Sequence, residues 1–362
     1  MGELGGRVAA AAAEAGRPDL EGRGLLAQAI GIWLTIEASD NPRALRVLEH
    51  AREVLERAGD RAYLVETLMA LGFGGWNDGD LDKAARWWQE AARLAHEAED
   101  PGREAMAKLH LSRARAQQGD SASRRVHLSE AVRLAEASGS ALTRARVARA
   151  EALMLADTMS LERGLERVLA ALPVFEEVME REEQAVALYV SGELRVHLGQ
   201  PEAAIEPIER AIAILEEVGH SGILPEAKRV HAGALLVLGR VAEAERRVLR
   251  AIEVVAPEDV ATISSTRMVL GRVRDAQGRD EEAERLLRDA VSGIDATHYR
   301  SLSWEQYLAL GEFLARRGRE DEAEAALATA RERALLLGPQ TPMLEVIERR
   351  AAAARAEAPA SR

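Results

Sequence analysis

Residues 308–330 read LALGEFLARRGREDEAEAALATA, and the spacing of small residues in this stretch decides the fold. Small residues recur across it at Gly311, Gly318, Ala323 and Ala330. A glycine between two amphipathic runs accepts the left-handed backbone that ends a helix. Small side chains on either side of that turn let two helices approach closely. The stretch therefore predicts a helix, a tight turn and a second, antiparallel helix.

The same pattern recurs along the chain at a period of 40 residues. Its final alanine appears in eight units, at Ala51, Ala91, Ala131, Ala171, Ala211, Ala251, Ala290 and Ala330. A small residue stands seven positions earlier in every unit except the third, which has Arg124. The turn glycine recurs in six units, at Gly79, Gly119, Gly199, Gly239, Gly278 and Gly318. Because one hairpin cannot bury its apolar face alone, the period predicts a stack of hairpins that share a core.

Residues suited to helix starts lie beside the predicted turns. Aspartate, asparagine and serine side chains can accept the first free amides of a helix, and proline suits its first turn. Candidates of this kind are Asn41 with Pro42, Asp80, Asp120, Pro201, Asp280, and Ser303 with Gln306 as a capping box.

Two units carry the residues of a known motif. Leu310, Gly311, Gly318, Ala323, Leu327 and Ala330 resemble the tetratricopeptide repeat, as do Leu270, Gly271, Gly278, Ala283, Leu287 and Ala290. The usual unit has about 34 residues. Longer units are similar to those of kinesin light chains, peptide-sensing bacterial regulators and sensor arms of signalling ATPases. The resemblance implies an all-α, right-handed superhelical solenoid of about eight repeats that binds proteins or peptides. The period alone also suits HEAT repeats, but the Gly/Ala register does not.

The 40-residue spacing also predicts how the chain is divided into segments. Residues 1–18 are predicted to be part of a preceding repeat or an N-terminal helix, because Val8 and Ala11 precede Leu48 and Ala51 by 40 positions. Residues 19–338 form the predicted repeat array, and residues 339–362 a capping helix with a frayed tail. On this reading the chain is a segment of a larger bacterial signalling or regulatory protein.

Composition narrows the classes of function. The chain has 362 residues, no cysteine and a net charge of −12, which argues against disulfides and against a nucleic-acid partner. No apolar stretch is long enough to predict a membrane segment, so we expect a cytoplasmic protein. Charge is uneven: residues 101–150 hold nine Arg and one Lys against four acidic residues, a net +6. Residues 151–220 hold fifteen acidic residues against five Arg, a net −10.

No motif predicts catalysis. The sequence contains no Gly-x-Ser-x-Gly elbow, no phosphate-binding Gly-x-x-x-x-Gly-Lys and no His-Glu-x-x-His. Its eight histidines are scattered without the spacing of metal ligands. We therefore predict a protein that is not an enzyme and that needs no cofactor or metal.

The resemblance indicates where a partner would bind. In the family, the first helix of each unit lines the concave face. Carried onto this chain, the inward positions are Met69, Phe73, Trp76, Asn77, Arg113, Gln117, Arg146, Arg149, Tyr189, Glu193 and His197. Trp88 is predicted to be core, and Trp87 to be exposed. The alternative is that these side chains only pack on adjacent repeats and that the arginines pair with nearby glutamates.

Four classes of function remain open. A groove of aromatic and arginine side chains favours a scaffold or sensor module that binds a protein or peptide with an acidic stretch or free carboxylate beside a bulky apolar residue. The second is a receptor arm in which a small ligand or signalling peptide controls attached effector domains. A structural or oligomerisation role is the third, and an unrecognised enzyme is the weakest.

Overall fold

The computed structural model describes residues 2–35, 41–219, 222–257, 259–297 and 303–357, and within these ranges every regular element is an α-helix. The helices are α1 (Gly2–Glu14), α2 (Pro18–Thr35), α3 (Asn41–Ala58), α4 (Arg61–Asn77), α5 (Leu81–Glu97), α6 (Pro101–Gln117), α7 (Ser121–Ala137), α8 (Ala141–Thr158), α9 (Leu161–Glu177), α10 (Arg181–His197), α11 (Pro201–Val218), α12 (Leu224–Val237), α13 (Val241–Val254), α14 (Val260–Ala276), α15 (Asp280–Asp295), α16 (Trp304–Arg316), α17 (Glu320–Leu335) and α18 (Met343–Ala356).

The helices pair in chain order. From α2 to α16, each even-numbered helix packs against the odd-numbered helix that follows it, which gives eight hairpins in the described chain. Even-numbered helices also contact one another, as α4 contacts α6 and α10 contacts α12. They therefore form the inner layer of the repeats. The predicted all-α fold of repeated helical hairpins with a C-terminal helix is confirmed.

The chain forms two compact units, Met1–Val147 and Ala148–Arg362. In the first unit, Trp88 and Leu48 are among the largest fully buried side chains, and in the second Phe175 and Phe313 are. Because the compact units divide within α8, the predicted division at residues 18 and 338 stays a prediction.

The turn glycines take the predicted conformation. All six have positive φ, between 68° at Gly318 and 76° at Gly119, which is the left-handed region that a side chain disfavours. Asp80 then accepts a hydrogen bond from the Lys83 backbone amide at 2.8 Å, and Asp120 caps its helix in the same way. Pro201 stands in the first turn of α11, as predicted.

Other predicted caps are wrong. Asp280 lies inside the first turn of α15, where its carboxylate accepts hydrogen bonds from Arg317 instead of capping the helix. Ser303 makes no side-chain capping bond to α16, and Gln306 donates to the Ser265 hydroxyl at 3.1 Å. In both cases a partner on a neighbouring helix competes successfully with the local backbone.

A similar competition occurs at the start of α3. The Asn41 side-chain amide donates to the Gly74 carbonyl at 3.1 Å and to the Asp78 carboxylate at 2.5 Å, so it ties α3 to the end of α4. Its sequence context predicted a local cap, but the side chain joins two successive hairpins.

The small residues permit close helix contacts. A Cβ placed on Gly72 would overlap the indole nitrogen of Trp88, and one on Gly192 would overlap the Ile208 side chain. A large side chain on the second helix thus fills the space over each of these glycines. The contact fixes how the first helix is rotated, and with it which residues face inward.

We expect Gly72→Ala to destabilise the first unit by about 1–3 kcal/mol, because the added methyl group would overpack against the buried Trp88. Gly102→Ala is the matched control. A Cβ there meets no atom nearer than 3.4 Å, so its effect should be neutral or slightly favourable. Urea unfolding of both variants measures the difference. Equal stabilities would contradict the assigned contact.

Candidate functional site

An aromatic cluster joins the inner helices α4 and α6 of the first unit to Trp88 on α5. Phe73 makes edge contacts with Trp88, at a centroid distance of 5.6 Å, and with His110, at 4.6 Å. Trp76 lies 6.0 Å from Trp88, whose indole N–H donates to the Met69 carbonyl at 3.1 Å. Trp88 is 1% exposed, which confirms that it is core, whereas Phe73 and Trp76 are half-buried. A buried ring thus holds two partly accessible rings in place.

A cation extends this cluster toward solvent. The exposed Arg113 guanidinium lies over the Trp76 ring at 5.5 Å from its centroid, within range of a cation–π interaction. Asn77 is exposed at the end of α4, and Gln117 is half-buried at the end of α6. The sequence predicted all of these as inward residues, and the structure brings Phe73 and Trp76 together with Arg113. These three residues are called the aromatic surface below.

Trp87 lies elsewhere. It is half-buried, not exposed as predicted, because Arg52 of α3 lies over its ring at 5.9 Å. It borders a cleft of about 350 Å³ lined by Arg52, Glu56, Leu64, Leu68, Trp87, Glu90, Arg93 and Leu94. Arg52 donates to Glu56 within this cleft, so its charge is already balanced.

The two predicted arginines of α8 differ from Arg113. The Arg149 guanidinium donates to Glu183 on α10 at 2.8 Å, so one repeat satisfies the arginine of its neighbour. Arg146 is half-buried on the same helix. For Arg149, pairing with a nearby glutamate was the alternative left open by the sequence.

In the second unit, the predicted inward residues of α10 belong to a charged cluster. Glu193 accepts hydrogen bonds from the Tyr189 hydroxyl and from Arg229, each at 3.2 Å. His197 lies 3.5 Å from the Glu305 carboxylate. Arg229 also donates to Glu226 at 2.7 Å. The structure therefore brings Tyr189, Glu193 and His197 together, but among charges of this chain.

The last helix crosses this cluster. Arg350 of α18 donates two hydrogen bonds to the Glu312 carboxylate, at 2.6 and 2.8 Å. The neighbouring Arg349 donates to the backbone carbonyl of His197 at 2.7 Å, and this carbonyl lies at the end of α10. Helix α18 therefore acts as more than an end cap, because it contacts the inner face four hairpins earlier.

The environment shifts the ionisation of this cluster. Burial raises the pKa of Glu193 to about 7, although Arg229 opposes the shift. Burial also lowers the pKa of His197, against the attraction of Glu305. Burial opposes the charge of Arg229, but the carboxylates of Glu226, Glu305 and Glu193 hold its pKa above its ordinary value. Glu193 is thus close to its titration point at neutral pH, whereas, despite burial, the pKa values of Glu305 and Glu312 are lowered by the surrounding arginines and His197.

Sequence reasoning missed most of this cluster although the register could have found it. The inward positions of the fourth and fifth units, continued along the chain, fall on Glu226, Arg229, Arg272, Glu305 and Glu312. The arginines of α18 had no such signal, because that helix lies outside the 40-residue register.

Neither a metal centre nor a membrane span is found in the part of the chain that the structure describes. Within it, no three His, Cys, Asp or Glu side chains are grouped to hold a metal ion. None of the described helices combines the length and apolarity needed to cross a membrane.

Comparison with known proteins gives structural matches only. No protein-family model matches the chain, and no curated protein matches it. Aspartyl phosphate phosphatase F from Bacillus subtilis is 15% identical with a TM-score of 0.60, covering 88% of this chain and 83% of its own. A Rap protein complexed with competence and sporulation factor is 16% identical with a TM-score of 0.58, covering 94% of this chain and 87% of its own.

A third match is the apo quorum sensor NprR from B. thuringiensis, 11% identical with a TM-score of 0.57 and a coverage of 87% for each chain. Together with the hairpins and turn glycines, these matches decide the fold. The chain has a tetratricopeptide-type fold. At these sequence identities, the similarity establishes the fold but gives no information about a ligand.

We expect Glu193→Gln to change the pH dependence of stability. Because the folded pKa of Glu193 lies above its ordinary value of 4.5, the folded state binds its proton more tightly, and this contribution is lost as pH rises from about 4.5 to 7. Above pH 7, Glu193→Gln should stabilise the chain by on the order of 1–2 kcal/mol relative to its effect at pH 5.

Urea unfolding at pH 5 and pH 8 measures this difference. Glu202→Gln, at an exposed position on α11, serves as control and should behave alike at both pH values. A parallel pH profile for Glu193→Gln and the unaltered chain would contradict the assigned burial.

Proposed function

We propose that this chain is a peptide- or protein-binding module with a sensor or scaffold role, and that its partner binds to the aromatic surface of the first unit. The observation that carries the proposal is the exposed Arg113 held over the half-buried Trp76 on the inner helices. This arrangement presents a flat apolar face and a cation at the same point.

The chemistry of this surface selects a ligand class. Aromatic rings and arginine are enriched among the residues that contribute most to binding energy. A guanidinium binds a carboxylate through two parallel hydrogen bonds and keeps its contact with a ring below. The proposed ligand is therefore a peptide segment with an acidic side chain or free carboxylate beside a bulky apolar residue.

Other predicted inward residues of α4 and α6 supply the rest of the proposed surface. Met69 packs against the rings, while Asn77 and Gln117 end their helices beside them and offer amide groups for a peptide backbone. Arg146 of the first unit remains a proposed partner contact, as do four residues of the second unit, Arg149, Tyr189, Glu193 and His197.

The comparisons support the class of function. One structural match is a Rap protein in complex with competence and sporulation factor, and another is described as a quorum sensor. A tetratricopeptide-type fold thus serves signal recognition in proteins of similar architecture. We extend this role to the present chain, as a binding module without catalysis that acts in the cytoplasm on protein partners, not on nucleic acid or membranes.

A peptide array that varies acidic and apolar positions independently tests the ligand class. Peptides with both features should bind best, and Arg113→Ala should weaken their binding by about 1–3 kcal/mol, or roughly 5- to 150-fold. Added salt should weaken the native complex more than the Arg113→Ala complex.

The matched control is Arg125→Ala, which removes an exposed arginine from the outer helix α7 and should leave binding unchanged. Trp76→Ala should weaken the same peptides through loss of the apolar face. If both Arg113→Ala and Trp76→Ala bind the array as the native chain does, the outer faces become the better candidate.

A further inference from the structure

Equivalent positions of successive repeats in the second unit carry very different residues at one point of the inner helices. This position directly follows the small residue at which each inner helix packs on its partner. It is occupied by Glu193 on α10, Gly233 on α12, Arg272 on α14 and Glu312 on α16. Since α10, α12, α14 and α16 contact one another in order, these four positions lie side by side across the inner layer. A glycine thus stands between a carboxylate and a guanidinium.

Neither a turn nor close packing requires Gly233. Its φ is not positive, and a Cβ built on it would meet no atom within 4 Å. Gly192 and Gly271 differ, since a Cβ there would overlap Ile208 or Leu287. A glycine inside a helix costs about 1 kcal/mol relative to alanine. The absence of a side chain at Gly233 therefore leaves open space beside the middle of α12.

The neighbouring Arg272 has no carboxylate in direct contact among the described residues. It is half-buried, and in the described part of the chain its side chain makes no ion pair. Other arginines of this cluster are paired: Arg229 with Glu226, and Arg350 with Glu312. Burial lowers the pKa of Arg272 to about 10 and Arg350 adds to this effect, while Glu312 and Glu305 oppose it. A desolvated guanidinium without a carboxylate in direct contact is unfavourable, so an anion that bound to it would be stabilising.

The nearby carboxylates of Glu312 and Glu305 make their direct contacts with other residues. Glu312 receives both hydrogen bonds of Arg350, and Glu305 lies between His197 and Arg229, at 3.5 and 3.8 Å. Their direct contacts are with these partners, and Arg272 interacts with both carboxylates only at longer range. Arg272 thus has no direct ion pair, and its helix α14 contacts the helix α12 that carries Gly233.

We propose that the space over Gly233 is a binding site for the carboxylate of an amino acid, an N-acyl amino acid or a peptide C-terminus. Arg272 binds the carboxylate through its planar fork. Glu193, at the same register on the other side of Gly233, accepts a hydrogen bond from the amine or amide N–H that these ligands carry next to the carboxylate. The site lies in the second unit and does not depend on the aromatic surface of the first.

Calorimetric titration of the full chain tests the site with three sets of probes: free L-amino acids, N-acetyl-dipeptides with a free C-terminus, and the same dipeptides as C-terminal amides. We expect binding of free carboxylates and at least tenfold weaker binding of the amides. The first two sets separate the possible sources, because only the peptide set should bind if the natural ligand is a chain terminus. Failure of every free carboxylate to bind would overturn the proposal.

Two substitutions separate a binding role from a structural one. Arg272→Gln should weaken the best carboxylate probe at least tenfold, whereas Arg267→Gln, at an exposed position on the same helix, should not change it. Gly233→Leu should fill the space and weaken the probe at least tenfold. Gly233→Ala should raise the melting temperature of the unliganded chain, since alanine favours the helix and meets no neighbour.

Native affinity in either Arg272→Gln or Gly233→Leu would overturn the site. Arg113→Ala separates the two surfaces, because it removes the guanidinium of the aromatic surface and the titration then reports the carboxylate bound in the second unit. A loss of carboxylate binding in Arg113→Ala with native affinity in Arg272→Gln would place the carboxylate on the aromatic surface instead.

Discussion

Close approach of the two helices within each hairpin is the constraint on which the rest of this structure depends. A glycine or alanine of the first helix faces a large side chain of the second, as Gly72 faces Trp88 and Gly311 faces Leu327. A helix held in this way cannot rotate without a steric clash. Its inward stripe is therefore fixed by a contact on its opposite side. The aromatic surface and the charged cluster both occupy stripes that are positioned in this manner.

The two units fill their inward stripes with different chemistry. In the first, Phe73 and Trp76 lean on the buried Trp88, and dispersion and ring contacts hold them. In the second, Glu193, Arg229 and their neighbours are held by charge-assisted hydrogen bonds, whose strength depends on burial. The same backbone register thus supports a preformed apolar face in one unit and an ionic network in the other.

Much of this was predictable because it depends on local chemistry repeated at a fixed period. The turn glycines, the Asp80 and Asp120 caps and the buried Trp88 all follow from residues within one hairpin. The prediction was wrong at Asp280, because Arg317 on the next hairpin offers a stronger partner than the backbone amides. It also gave no hint of the Arg350–Glu312 pair, since α18 lies outside the repeat and no local signal places it. The 40-residue spacing predicted that Arg113 faces inward, but it did not predict that its guanidinium lies over the Trp76 ring.

The hydrogen bond from Arg349 to the His197 carbonyl joins residues 152 positions apart. A repeat array with only nearest-neighbour contacts opens from its ends, one hairpin after another. Here the last helix is fastened to α10, so loss of α18 would uncover charged groups of α10 and α16 together. The bond thereby couples the last helix to a hairpin far from it in the chain, in addition to its packing against α16 and α17. Because closing so long a loop costs chain entropy, this contact is expected to form late, after the hairpins between α10 and α18 are in place.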